Sequence, residues 1–316
     1  NRHLTPDEAA YIVDDCDAQA LVVSAHALSA VDTSPGAYPG VAHRLVFGGS
    51  LPGFDDYEDA LARHDPSPLD DQPRGRDMLY SSGTTGRPKG IEPALSVGQV
   101  QDVPDPYTAV FAPMYGFDDT TVYLCPAPLY HAAPLRFCGT VQSVGGTVIL
   151  MDRFDAEEAL ALIEKYSVTA SQWVPTMFVR MLKLPEETRA RYDVSSMKVA
   201  IHAAAPCPPE IKRAMIEWWG PVIHEYYAST EGAGATFIDS GQALARPGSV
   251  GRDGVMGIVH ICDDEGNELP AGAIGTVWWE RDEHPFRYHN DPEKTASSPR
   301  LGCTGKLERA SRARGW

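Results

Sequence analysis

The sequence predicts an α/β protein, with parallel sheets covered by helices and a small β subdomain after about residue 245. Three observations carry this. From residue 140 to 227, short β-prone runs alternate with capped, amphipathic segments. After 245 the texture changes to two apolar runs around a polar turn. Upstream, an apolar strand feeds directly into "YSSGTTGRPKG" at 80–90, a glycine-rich loop of the kind that ends sheet strands at ligand sites.

The elements follow in order. Thr5-Pro6-Asp7-Glu8 combines a capping box with proline at the first helical position and predicts a helix to about Cys16. "ALVVS" (20–24) and "RLVF" (44–47) read as strands, and the Asp-, Pro- and Gly-rich stretch 50–75 as surface loop. "GTVILM" (146–151) is a strand. Asp155 and Glu158 cap a helix to about Tyr166, with Leu160 and Ile163 on its buried face. "VTASQWV" (168–174), "MKVAIHA" (197–203) and "VIHEYY" (222–227) are strands. Pro175 starts a helix to about Leu182, and Pro208-Pro209 another to Trp219. "GIVHICDDEGNELPAGAIGTVWWE" reads as two strands, with Asp264, Gly266 and Asn267 near the turn. These boundaries divide the chain into a partial α/β subdomain (1–75), a larger one (76–245), a partial β subdomain (246–294) and an atypical tail (295–316).

Composition narrows the function. The 316 residues are 43% hydrophobic and 22% charged, as in soluble globular proteins. A net charge of −16 repels nucleic acid and anionic membranes, while leaving room for an anion held locally. Six scattered cysteines without a Cys-x-x-Cys pair exclude a disulfide scaffold and fit a reduced, cytoplasmic setting. No apolar run approaches the ~18 residues that span a bilayer.

In the 80–90 loop, Gly83, Gly86 and Gly90 let backbone N–H groups converge on an anion. Ser81, Ser82, Thr84 and Thr85 add hydroxyls, and Lys89 adds a charge. This is a phosphate cradle by composition. It is not a Walker loop, because Pro88 precedes Lys89 and Gly90 follows it. A flexible linker is the plain alternative.

"SSGTTGRPKG" closely resembles the phosphate-binding signature of the adenylate-forming (AMP-binding) superfamily of acyl-CoA synthetases, luciferases and peptide-synthetase adenylation domains. "EYYASTEG" (225–232) is similar to its second signature, with Ala228 in place of the usual glycine. "HAAAPCP" (202–208) resembles the Gly-Ala-Ala-Pro segment, with Ala203 where glycine is common. "PAPLYHAAPL" (126–135) resembles the segment whose histidine borders the acyl pocket; the prolines here predict a loop. "GSVGR" (248–252) and "FRYHNDPEKTA" (286–296) are similar to later family segments, so the likeness runs over residues 1–296.

The resemblance implies the large N-terminal domain of an adenylate-forming enzyme and an AMP-forming acid–thiol ligase activity. ATP and a carboxylic acid give an acyl-adenylate, and CoA then displaces AMP. It implies catalytic roles for Lys89, Thr230, Glu231 and His131. It places the nucleotide against Ser81, Ser82, Gly83, Thr84, Thr85, Gly86, Lys89, Ala203, Ala204, Glu225, Tyr226, Tyr227, Ala228 and Thr230. Tyr227 would stack on adenine, Thr230 would touch the α-phosphate, and Glu231 with Ser81 would hold Mg²⁺, a hard cation that takes oxygen ligands. A helix cap is the local alternative for Ser229-Thr230-Glu231, weakened by Gly232 and Gly234. The two loops are expected to meet at one cleft.

Within the superfamily the motifs resemble most the fatty-acyl-CoA synthetases and the carnitine or bile-acid CoA ligases. Trp173, Met177 and Phe178 would then suit an acyl tunnel, or simply core. A non-catalytic nucleotide-binding remnant, and an adenylation domain acting on another acid, are the rival readings.

The likeness breaks after Pro-Glu-Lys-Thr, where the family's ribose-binding Gly-Asp has no match. The last 22 residues carry five basic groups and one acid, against 22 and 42 in the rest of the chain. That switch suggests a shifted reading frame or a truncated product, with a basic tail as the alternative. The chain is expected to be shortened at both ends, to lack the mobile C-terminal domain, and to fall short of acyl-CoA synthesis by itself. The strand surface at Val277, Trp278 and Trp279 is expected to be uncovered.

Overall fold

The computed structural model describes the chain apart from 35, 82–86, 283–284, 298–300, 304 and 312–316, with the backbone alone at 28, 297, 301–303 and 305–311. The chain divides into two compact units, 1–100 with 287–295, and 101–286 with 296–316.

In the first unit, α1 (Pro6–Asp15) begins with the expected capping box: the Thr5 side chain accepts from Glu8 N–H and Glu8 reaches back to Thr5 N–H. β1 (Ala20–Ser24) pairs in parallel with β2 (His43–Phe47), and β2 with the short β3 (Asp55–Asp56). Val23, Val46 and Leu51 form its small core. The stretch 50–75 is not all loop. It holds α2 (Tyr57–Ala62), whose N-cap Asp56 accepts from Asp59 N–H, a one-and-a-half-turn helix with no buried residue to mark it.

β4 (Leu79–Ser81) and β5 (Lys89–Pro93) form an antiparallel hairpin, and the strand Phe286–Tyr288 lies on the other edge of β5. The "YHNDPEKT" segment that follows is pinned within this unit. His289 Nε2 donates to the Asp15 carbonyl at 2.8 Å, and its Nδ1 lies 3.2 Å from Glu92. Thr295 Oγ1 accepts from Tyr288 N–H and donates to the Asp291 carbonyl, closing the turn into the helix Pro292–Ser297.

The second unit is built on a six-stranded sheet. Its elements are α3 (Pro106–Tyr115), β6 (Val122–Cys125), α4 (Ala132–Ser143), β7 (Thr147–Leu150), α5 (Ala156–Tyr166), β8 (Ala170–Trp173), α6 (Pro175–Leu182), α7 (Glu186–Arg189), β9 (Val199–His202), α8 (Pro209–Trp219), β10 (Ile223–Ala228), β11 (Ala235–Ile238) and α9 (Ser240–Ala245). The order is β11-β10-β9-β8-β6-β7, parallel throughout except for antiparallel β11 at the edge.

Both faces of the sheet are covered, as a parallel sheet requires. On one, Leu160 and Ile163 of α5, Phe178 and Met181 of α6 and Met215 of α8 pack with Leu124, Trp173 and Ala200. On the other, Phe111 and Tyr115 of α3 and Phe137 of α4 pack with Tyr123 and Ile201. Adjacent strand residues serve opposite cores, Tyr123 one and Leu124 the other.

β12 (Ile258–Cys262) and β13 (Thr276–Arg281) make the expected antiparallel pair. The surface at Val277–Trp279 is covered, contrary to expectation. The tail backbone at Gly305–Ser311 pairs with β13, and the three side chains are 7%, 2% and 1% exposed. Two glycines are fixed by close approach. A Cβ on Gly234 would fall 2.2 Å from the Trp279 ring, and one on Gly251 would fall 2.0 Å from the Phe237 carbonyl oxygen. Gly251 lies in "GSVGR", where Phe237 and Arg252 exchange backbone hydrogen bonds.

Candidate functional site

In an open parallel sheet, ligands collect beyond the carboxyl ends of the strands. A cavity of about 280 Å³ lies there in the second unit. Each wall continues a strand: Ala127 and His131 follow β6, Gln172 and Val174 end β8, Ala203 and Ala204 follow β9, and Ala228 to Gly232 end β10. α3 and α4 supply Tyr107, Phe111, Arg136 and Phe137.

Six of the residues picked out by sequence therefore share this cavity: His131, Ala203, Ala204, Tyr226, Ala228 and Thr230. His131 is the N-cap residue of α4 yet makes no capping bond with its side chain, which lies on the cavity wall with Tyr130 4.5 Å away. The loop expected around it thus stops at His131, because Ala132 and Ala133 start a helix. Partial loss of water holds its imidazole below the ordinary histidine range. Ala204 has φ of +73°, a left-handed conformation that costs an alanine about 1–2 kcal/mol. Strain of this kind concentrates where a loop is shaped for a ligand.

β10 splits the second signature between two faces. Tyr226 and Ala228 line the cavity, and Tyr226 packs with Phe111 and Phe137 at centroid distances of 6.5 and 6.1 Å. Glu225 and Tyr227 point the other way. Tyr227 packs against Ala233, Val277 and Trp279. Glu225, expected beside the nucleotide, is instead 5% exposed and ion-paired with Lys212 of α8, with His202 Nδ1 3.9 Å away. Burial raises the Glu225 carboxyl, and Lys212 opposes the rise. His202 is driven down to about 3, by burial first and by Lys212 second.

Thr230 and Glu231 form a turn, with Glu231 half-buried and outside the cavity lining. The turn is anchored from behind, since Arg281 Nη1 donates to the Gly232 carbonyl at 3.0 Å. In the first unit, Ser81 and Lys89 are direct partners across the β4–β5 ladder, at the base of the glycine-rich loop. Ser82, Gly83, Thr84, Thr85 and Gly86 lie outside the described residues. The loop joins two antiparallel strands, where a Walker loop joins a strand to a helix. Trp173 and Phe178 are fully buried in the core and Met177 packs with them, so none of the three lines the cavity.

Several residues here carried no sequence signal. Tyr107, Arg136, Gln172 and Met256 line the cavity from segments without a motif. Arg281 ends a strand some fifty positions from the turn it holds. Among the described residues no group of three or more His, Cys, Asp or Glu could hold a metal. Mg²⁺ does not require one, because one or two carboxylates with substrate phosphates suffice, and Glu231 beside Thr230 is a hard-oxygen donor set of that kind. No helix among the described residues is long and apolar enough to cross a membrane.

A parallel sheet with its ligand cavity at the strand ends defines a class of α/β binding domain, and comparison with known proteins identifies the family. A profile described as AMP-binding enzyme matches residues 1–283. The chain belongs to the AMP-binding enzyme family. It is 29% identical over 259 residues to a medium/long-chain-fatty-acid–CoA ligase, FadD8, of Mycobacterium tuberculosis, covering 78% of this chain and 43% of that one. It is 32% identical over 230 residues to 4-coumarate:CoA ligase 1 of Petunia hybrida, covering 69% and 41%.

Among solved structures, the amide bond synthetase McbA from Marinactinospora thermotolerans is 25% identical with a TM-score of 0.74, covering 98% of this chain and 63% of that one. The N-terminal domain of FACL13 from Mycobacterium tuberculosis shares the fold at 21% identity and a TM-score of 0.76, covering 98% and 79%. The chain spans about two-fifths of the length of the curated relatives it matches.

Proposed function

We propose that this chain supplies the acid- and nucleotide-binding part of an ATP-dependent acid–CoA ligase. The observation that carries the reading is the cavity at the carboxyl ends of β6, β8, β9 and β10, walled by His131, Ala203, Ala204, Tyr226, Ala228 and Thr230. Family membership supports it.

In this reading a carboxylate enters the cavity and attacks the α-phosphorus of ATP. A new C–O–P linkage forms as the bond to pyrophosphate breaks. The CoA thiol then attacks the acyl carbon, and AMP leaves with the bonding pair. Thr230 donates to the α-phosphate, Ala203 and Ala204 border the nucleotide, and Tyr227 offers its ring to adenine from the far face of β10. Lys89 and the hydroxyls from Ser81 to Thr85 hold the phosphate chain. Glu231 would hold Mg²⁺, which would neutralise charge building on the phosphates. His131 stands at the junction of acid and adenylate, neutral at pH 7. Most of this is electrostatic positioning, as expected for transfer at phosphorus. A fatty-acid tunnel through Trp173, Met177 and Phe178 has no support, because those side chains are core.

The test is calorimetric binding of MgATP, together with acid-dependent exchange of pyrophosphate into ATP. Glu231→Gln keeps shape and removes charge. It is expected to weaken Mg²⁺-dependent binding and, in an enzyme extended to the length of its relatives, to lower exchange by about 10²–10³. Unchanged binding and exchange in that variant would show that another carboxylate holds the metal. No exchange with any acid in the enzyme extended to the length of its relatives would overturn the ligase reading itself.

A further inference from the structure

β8 sends its residues to two different faces. Trp173 packs in the core under α5, α6 and α8, and its indole N–H donates to Ser171 Oγ on the same side. Ala170 packs in the opposite core with Phe111 and Phe137. The pleat therefore puts Gln172 on the side of Ala170, where it lines the cavity. Gln172 is 2% exposed, and its neighbour on β9 is the fully buried Ile201. Its Nε2 donates to the Trp173 carbonyl at 2.9 Å. A carbonyl can only accept, so this bond fixes which end of the amide is nitrogen and turns Oε1 the other way. Oε1 has no hydrogen-bond partner among the described residues. A carbonyl oxygen kept from bulk water calls for a donor, because leaving such a group unmatched costs more than a matched one gains. A carboxylate brings only acceptors and a hydrocarbon chain brings nothing, whereas a hydroxyl or an amino group supplies the hydrogen. β8 adjoins β6 in the sheet, and His131 stands on the segment that leaves β6, so the amide and the imidazole rise from neighbouring strand ends.

We propose that Gln172 is a specificity-determining residue, which selects carboxylic acids carrying a hydroxyl or amino group by accepting that group's hydrogen at Oε1. The inference rests on reading the cavity as the acid site. The carboxylate is the reacting group beside His131 and Thr230; the donor is a second, uncharged group on the same acid. Phe111 and Phe137, stacked at 4.8 Å in the same wall, suit a flat ring between the two.

The test compares matched acids at pH 7.5, on the full chain and on the enzyme extended to the length of its relatives: benzoate with its 2-, 3- and 4-hydroxy, amino and methoxy derivatives, and hexanoate with 6-hydroxyhexanoate. Binding is read by calorimetry and ligand-observed NMR. At least one hydroxy or amino acid is expected to bind about tenfold tighter than both its unsubstituted parent and its methoxy analogue, which matches the size but has no hydrogen to give. The preference should vanish in Gln172→Met, which keeps the volume without the amide, and persist in Gln172→Glu, which keeps an oxygen acceptor; urea midpoints check that both variants fold. Should Gln172→Met not fold, the methoxy comparison and Gln172→Glu carry the test. Equal binding of hydroxy, methoxy and parent acids overturns the proposal, as does a preference retained in Gln172→Met or lost in Gln172→Glu. So does a fall in MgATP affinity in Gln172→Met with acid preference unchanged, which would assign the amide to the nucleotide. These outcomes leave the acid site standing, whereas no binding of any acid to either protein overturns that reading as well.

Discussion

Replacing Lys212 with Met should destabilise the second unit by about 3 kcal/mol at pH 7.5, the lower end of the 3–5 kcal/mol for removing one partner of a buried ion pair. Lys212 and Glu225 are 6% and 5% exposed, so water cannot replace the lost ammonium. The lower end applies because a second base is near. His202 Nδ1 lies 3.9 Å from Glu225, and repulsion by Lys212 is one of the two causes that keep the imidazole neutral. With Lys212 gone, His202 can take up part of the charge.

The sign with pH follows from Glu225. Its carboxyl is raised in the folded state by burial, with Lys212 opposing, and the Met variant removes the opposition. Between the unfolded value near 4.5 and the raised folded value, the native state binds the extra proton. Stability therefore falls as pH rises through that window, and the variant's deficit is larger at pH 7.5 than at pH 5. Urea unfolding followed by tryptophan fluorescence is suited to this, because all six tryptophans lie beyond residue 100, in the second unit. The double replacement Lys212→Met with Glu225→Gln should recover most of the loss. A single variant within 0.5 kcal/mol of wild type at pH 7.5, or with no pH dependence, would refute the reasoning.

Two further outcomes are expected. Gly234→Ala drives a methyl to 2.2 Å from the Trp279 ring and should cost about 1–3 kcal/mol or more, read as a lower urea midpoint; a neutral result would mean that Trp279 repacks freely. His289 is raised by Glu92 first, against partial burial, with the Asp15 carbonyl also favouring the proton. Its contribution is complete below its unfolded value near 6.5 and is lost as pH rises through the folded value. Amide exchange at 286–295 should therefore quicken across that range in wild type, and His289→Gln should flatten the profile.

The sheet was legible where local chemistry was strong. Asp155 caps α5, Pro175 and Pro209 open α6 and α8, and the apolar runs between them are the strands observed, within a few residues. α3 escaped because "PYTAVFAPMY" is apolar around much of its circumference, so no periodicity marks it. α2 was hidden by an acidic, proline-rich setting and buries nothing. The cover on Trp279 could not be foreseen, because Tyr227, Ala233 and Gly234 reach it from the end of β10 some fifty positions upstream, and the strand that pairs with β13 lies in a tail whose composition suggests no strand. At the site, motifs located the loops but not the direction of side chains. "EYYASTEG" identifies a strand end; which tyrosine meets the cavity depends on the phase of the pleat, and that is set by Lys212 and His202 far away in sequence. Arg136 had no motif at all.

The alternation along β10 has a consequence for how this site can change. Even-numbered positions, Tyr226 and Ala228, shape the cavity; odd-numbered ones, Ile223 and Glu225, tie the strand to the core and to α8. Ligand preference and mechanical anchoring are thus written on opposite sides of a single strand. Substitutions on the even side can retune what is accepted without loosening the frame, so diversity aimed there should yield many folded variants with altered appetite. A one-residue insertion ahead of His224 would exchange the two sides at once, placing the Glu225 carboxylate in the cavity and the His224 imidazole against Lys212. Such indels should be far scarcer among working variants than substitutions of any size.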